Sequence, residues 1–189
     1  MRVKIISILV AMHHVRSALL FLTGFILFVS LFISGCSTAK KTVKPPPDTS
    51  GLSQKKFRQE VVNYALQYIG SGYKSAGTSP KTGFDCSGFT RFVLKQFDVK
   101  VSPASAAQSK EGVPVGLSAV QPGDLIIFGR NNKDIQHVAL VVERTRDGII
   151  CVHSTTSRGV IRENVTASSY WKPLILGARD VVTPAAVRK

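Results

Sequence analysis

GFDCSGFTRFV, residues 83–93, sets a thiol between an acidic residue and an amphipathic run. Phe89, Phe92, Val93 and Phe97 recur at helical spacing, so the run predicts a helix over residues 86–97, and Asp85 is a good cap for its start. Cys86 then falls in the first turn, where the partial positive charge of a helix N-terminus favours a thiolate. A structural cysteine would sit on the apolar stripe as a small buried residue, and a metal ligand would have companions nearby. Cys86 does neither, so its partners must come from elsewhere in the chain.

Working outward, Phe57, Val61, Ala65, Tyr68 and Ile69 mark an earlier helix, with Ser53 at its start and Gly70 at its end. A short helix is expected near residues 104–110. After Gly123 the texture changes to strands: DLIIF (124–128), HVALVV (137–142), IICVH (149–153), GVIRENV (159–165) and LILGARDVV (174–182). Between the second and third lies RTRDG (144–148), which carries an Asp-Gly turn signal. Helices first and antiparallel strands afterwards describe an α+β domain and argue against alternating βαβ units. Residues 52–182 form this domain, long enough for one compact core, and residues 183–189 read as a loose tail.

The start of the chain has another character. Arg2, Lys4 and Arg16 precede a block, residues 17–35, that contains no charged residue. A basic region, an apolar run and small residues before a cysteine describe an export signal over residues 1–35, with Met12 an alternative start to Met1. The tetrad Ile33-Ser34-Gly35-Cys36 resembles the lipobox of bacterial lipoproteins, which implies lipidation of Cys36 and cleavage before it. An uncleaved membrane anchor is the other reading, since the block is nearly long enough to span a bilayer. Both place the domain outside the cytoplasmic membrane. In a diderm bacterium, Ser37 rather than aspartate after the cysteine implies delivery to the periplasmic face of the outer membrane. Residues 36–51, with three consecutive prolines and several lysines, form an extended linker reaching roughly 45 Å from the membrane.

The chain carries a formal charge of +14, and without residues 1–35 it retains 22 basic against 11 acidic residues. Such a balance in an exported protein serves solubility or attracts anionic lipids and wall polymers. Nucleic acid is not an expected partner, because no zinc-finger spacing or aromatic-basic signature is present.

Apart from His13 and His14 in the leader, the histidines are His137 and His153; apart from Cys36, the cysteines are Cys86 and Cys151. His137 opens one strand and His153 closes the next. A hairpin centred near Thr145 would place them nearly opposite each other, with Cβ atoms about 4.5–5.5 Å apart. One histidine can exchange a proton with the thiol while the other fixes its ring. Cys151 shares a strand face with His153, as a packed thiol beside the site or as a disulfide partner of Cys86. The spacing suits no metal, and the chemistry calls for no cofactor.

GYKSAGTSPKTGFDCSGFTRFV (72–93), LSAVQPGDLIIF (117–128), QHVALVV (136–142), VHSTTSRGV (152–160) and YWKPLILGARD (170–180) together resemble the successive motifs of the NlpC family of bacterial cell-wall cysteine peptidases. The resemblance implies a papain-like fold, with a nucleophile helix packed on an antiparallel sheet. It also implies hydrolysis of peptide bonds in peptidoglycan stem peptides or cross-links. It assigns Cys86 as nucleophile, His137 as general base, His153 as the residue that orients the base, Tyr73 near the oxyanion site and Ser87 as a backbone contact for the carbonyl. Without the resemblance Tyr73 reads as a turn aromatic, and Asp85 as a cap rather than a catalytic group. Ser75 and Ala76 depart from the family pattern, which has an aromatic and a glycine there, as do Ser102 and Pro103 in place of the usual arginine before the short helix. These changes bear on substrate subsites. A wall-binding lipoprotein with little turnover, and an amidase or acyltransferase on the same scaffold, are the competing readings; regulators cannot be read from the chain.

Overall fold

The structure is a computed structural model that describes residues 53–183. The expected leader, the lipidation site Cys36, the linker and residues 184–189 of the tail lie outside the described residues. Helix α1 spans Gln54–Leu66 and is capped by Ser53, whose hydroxyl accepts from the Lys56 N–H at 3.4 Å. A small ribbon of β1 (Thr78–Ser79) and β2 (Gly83–Phe84) leads into helix α2, Cys86–Lys95. Four residues, Ser105–Gln108, make the short helix α3. Six strands follow: β3 Val113–Val115, β4 Leu125–Asn131, β5 Asp134–Thr145, β6 Gly148–Thr155, β7 Gly159–Asn164 and β8 Ile175–Asp180. They pair antiparallel in the order β3-β8-β4-β5-β6-β7, so the domain has the expected α+β class.

Strand alternation gives the sheet two different faces. Leu125, Ile127, Val138, Leu140, Val142, Val152 and Val160 belong to one core with the apolar stripes of α1 and α2. Within it, edge-to-face contacts of Tyr64, Tyr68, Phe84, Phe89 and Phe97 join the helices to the approach of α2. Ile126, Phe128, Ala139, Val141, Cys151 and Ala178 form a second core with Trp171, next to the short 3-10 turn Lys172–Leu174.

Several details differ from the sequence expectation. α1 ends at Leu66, so Ile69 falls beyond it and is 39% exposed rather than buried. α2 ends two residues before Phe97, which still packs in the core. β3 was not expected; it is short, contains Pro114 and lies at the sheet edge, where a missing N–H is tolerated. Thr183, counted with the tail, is fixed: its hydroxyl accepts from Gln54 at 2.6 Å and from Arg58 at 2.8 Å. Arg58, only 2% exposed, also pairs with Asp124 at 2.8 Å and Asp180 at 2.6 Å, tying α1 to the start of β4 and the end of β8.

Candidate active site

Asp85 caps α2 as expected, accepting from the Gly88 N–H at 2.6 Å. Helix-start residues crowd the ribbon so closely that a Cβ on Gly88 would lie 2.1 Å from the Gly77 carbonyl oxygen. Glycine at 88 therefore permits the Asp85 N–H to donate to that same oxygen at 3.0 Å. Ser87 is buried; its hydroxyl donates to Asp85 at 3.2 Å, and its carbonyl accepts from Thr90 at 3.0 Å and Gln108 at 3.1 Å. Gln108 also donates to the Ser102 carbonyl at 2.7 Å, so α3 braces the first turn of α2. These contacts fix the Cys86 backbone.

Cys86 packs against the helix-side core, and the backbone N–H of Val138 in β5 reaches its thiol. His137 is the preceding residue on that strand, and a cleft of about 410 Å³ is lined by Tyr73, Cys86, His137, Arg158, Tyr170 and Trp171 among others. Tyr73 is 36% exposed and its backbone bridges to Phe84, two residues before the thiol.

The structure brings the two histidines together by a different register from the one expected. The β5-β6 turn joins Thr145 to Gly148, and a bulge follows between the Val141 and Glu143 pairings. Leu140 faces Val152, so the same register carried along the strands sets His137 diagonal to His153 rather than opposite it. The residues still share a face, and His137 Nε2 lies 2.8 Å from His153 Nδ1. Trp171 stacks on the His137 ring with centroids 4.5 Å apart and meets His153 edge-on at 5.0 Å. His153 is fully buried, and its Nε2 is 2.9 Å from Glu163 Oε1. The Trp171 indole N–H and an Arg158 N–H donate to the same carboxylate oxygen, each at 2.9 Å. Glu163, Trp171 and Gln108 were not singled out from the sequence; the strand register brings in Glu163, the turn before β8 brings in Trp171, and α3 brings in Gln108.

Electrostatics change one expectation. Burial raises the Cys86 thiol above its ordinary value, against the N–H groups of Val138, Ser87 and Cys86, which pull it down; nearby Asp85 adds to the rise. Burial, with a smaller contribution from His153, lowers His137 to about 3. Burial thus favours a neutral thiol beside a neutral imidazole at rest, against the thiolate that the helix start alone favours. The helix-start N–H groups act in the expected direction, but desolvation of the thiol outweighs them. Tyr73 is raised, first by burial and then by the nearby Cys86, once ionised, and Asp85.

Cys151 lies in the second core, opposite Glu163 in β7, whereas Cys86 packs on the first core. Both are free cysteines, which removes the disulfide alternative. Burial first, and then Glu163, raise the Cys151 thiol, so it stays protonated.

Residues 70–180 match the model of the NlpC/P60 family. A γ-DL-glutamyl hydrolase of Bacillus subtilis is 36% identical over 129 residues, covering 67% of this chain and 30% of that protein. The murein DD-endopeptidase MepH of Escherichia coli is 31% identical over 148 residues, covering 75% of this chain and 52% of its own. The chain thus spans about half or less of these relatives. The crystal structure of an NlpC/P60 family protein from Bacillus cereus superimposes with a TM-score of 0.60 at 31% identity, covering 69% of this chain and 43% of that one. The papain-like fold, with helices packed on an antiparallel sheet, is shared with it. With more than half of its length matched by the family model, the chain belongs to the NlpC/P60 family.

Proposed function

We propose that the chain is a cysteine endopeptidase that hydrolyses peptide bonds in peptidoglycan stem peptides or cross-links during wall growth and remodelling. The observation that carries this reading is one cleft lined both by Cys86, at a capped helix start, and by His137, itself held by His153. The relatives named for murein and γ-glutamyl bonds support the substrate class.

In this reading His137 Nδ1 takes the thiol proton as Cys86 Sγ adds to the substrate carbonyl, giving a tetrahedral oxyanion. The helix-start N–H groups and the Tyr73 hydroxyl are the donors available for that charge, with Ser87 contributing its backbone. Collapse breaks the C–N bond, and the departing amine takes the proton from His137. Water then adds to the thioester, giving its proton to His137, and a carboxylate leaves as the Cys86 thiol re-forms. No cofactor enters these steps. Anchoring through a lipidated Cys36, in a diderm at the periplasmic face of the outer membrane, would hold the domain within linker reach of the wall.

The test is digestion of isolated peptidoglycan by the full chain in detergent, with new termini identified by mass spectrometry. Paired new amino and carboxyl termini within the peptides are expected for the wild type and none for Cys86→Ala. Retained cleavage by Cys86→Ala overturns the mechanism. Amine adducts in place of free carboxyl termini would indicate acyl transfer, and binding to the wall without new termini a binding module.

A further inference from the structure

His137, His153 and Glu163 run diagonally across β5, β6 and β7 on one face. His153 faces Ile161 in the β6-β7 register, so Glu163 stands diagonal to it, as His153 does to His137. We propose that Glu163 is a positioning residue for the catalytic pair: by accepting a hydrogen bond from His153 Nε2 it sets the tautomers of both rings, leaving the lone pair of His137 on Nδ1, free to take a proton. The inference rests on the reading of Cys86 and His137 as nucleophile and base.

The argument follows from donor and acceptor inventory. An ionised carboxylate only accepts, so with Nε2 2.9 Å from Oε1, His153 must carry its proton on Nε2. A neutral His153 then offers only a lone pair at Nδ1, and the 2.8 Å contact requires His137 Nε2 to be the donor. Neutral His137 therefore has its lone pair on Nδ1. His153 is fully buried, which leaves no solvent to satisfy Nε2 in place of the carboxylate.

The charges around the chain agree with these states. Glu163 is held below the usual carboxylate range: burial pushes it up, but Arg158, His153 and Trp171 outweigh burial. His153 is lowered by burial, against the pull of Glu163, and the positive charge on Arg158 lowers it further. Arg158 grips both carboxylate oxygens, at 2.9 and 3.1 Å, and Trp171 pins Oε1. Glu163 is thus oriented by two other donors before it meets His153. When His137 takes the thiol proton, the same carboxylate stabilises the developing positive charge through His153.

The experiment is ¹H–¹⁵N spectroscopy of ring nitrogens in the full chain in detergent, labelled at histidine, with His137 and His153 assigned by single replacement. In the wild type both rings should show protonated Nε2 and pyridine-like Nδ1. Glu163→Leu should shift both rings toward mixed tautomers and lower kcat by about 10–100-fold with KM little changed. Glu163→Gln keeps an acceptor without the charge; it should preserve the wild-type tautomers, lose less kcat than Glu163→Leu, and serve alone if the leucine variant does not fold. Unchanged ring tautomers in Glu163→Leu, or a Glu163→Gln variant as inactive as Cys86→Ala with intact tautomers, overturn the proposal. Because the spectra need no turnover, they decide the role of Glu163 even if wall digestion rejects the peptidase reading.

Discussion

The 2.8 Å contact between His137 Nε2 and His153 Nδ1 leaves His137 Nδ1 as its one remaining ring nitrogen. That nitrogen is the one available to a thiol in the cleft that both Cys86 and His137 line. In the proposed mechanism this contact divides the labour: His137 exchanges the proton and His153 holds its ring in place.

His137→Ala should therefore lose at least about 10³-fold in kcat, because the proton has no other carrier. His153→Asn should retain measurable turnover, since an amide oxygen can still accept from His137 Nε2, whereas His153→Ala should lose much more. All three are compared on one isolated wall peptide. An active His137→Ala beside an inactive His153→Asn would show the roles to be reversed.

Stability should fall on mild acidification. Burial keeps His137 near 3 and lowers His153, while an unfolded imidazole titrates at about 6.5. Below that value the unfolded chain binds protons that the folded chain refuses, so stability present above pH 6.5 is lost as pH falls toward the folded values. For His137 alone the loss is roughly 2 kcal/mol between pH 6.5 and 5. Urea unfolding across this interval measures it, and His137→Gln should flatten the slope. A flat wild-type profile would contradict the buried neutral pair.

Arg58→Ala should cost about 3–5 kcal/mol, because it leaves Asp124, only 1% exposed, without its cation. The guanidinium also donates to the Pro122 carbonyl and the Thr183 hydroxyl, each at 2.8 Å, so the loss frees the start of β4 and the end of β8 from α1. The double replacement Arg58→Met with Asp124→Leu should be less harmful than the sum of the two single changes. Strict additivity in equilibrium unfolding would argue that the pair is not coupled.

Local signals explain how much the sequence disclosed. The cap at Asp85, the stripe of α2 and the alternation of the long strands depend on neighbours a few residues away, and all are present. Cys86, His137 and His153 stood out by scarcity. Glu163 did not, since a glutamate in IREN reads as an ordinary solvated strand residue. Its meaning depends on the bulge in β5 and the β6-β7 pairing, which together decide which side chains meet diagonally. Arg58 was equally silent: on a helix it reads as surface, yet its partners lie 64 or more residues away.

Ala76 carries the last prediction. Its φ of 54° is in the left-handed region, where a Cβ crowds the backbone by roughly 1–2 kcal/mol. The NlpC pattern has glycine at this place, and the turn still has the shape that glycine suits. Its neighbour Gly77 faces the opposite constraint: a Cβ there would lie 2.4 Å from the Gly83 carbonyl oxygen and 2.7 Å from that of Lys74. Gly77 also donates to Lys74 at 2.9 Å and accepts from Asp85, so it seats the start of α2 beneath the ribbon. The two positions should therefore respond with opposite signs. Ala76→Gly should gain roughly 0.5–1 kcal/mol once the added freedom of the unfolded glycine is set against the relieved strain. Gly77→Ala should lose at least about 1 kcal/mol and reduce kcat as well, since Asp85 and Cys86 must move with the ribbon. Thermal unfolding of both variants with a wall-peptide assay supplies the comparison. A destabilised Ala76→Gly would show that the alanine methyl makes contacts worth more than the strain, and a Gly77→Ala of wild-type stability would show that the ribbon does not constrain the helix start.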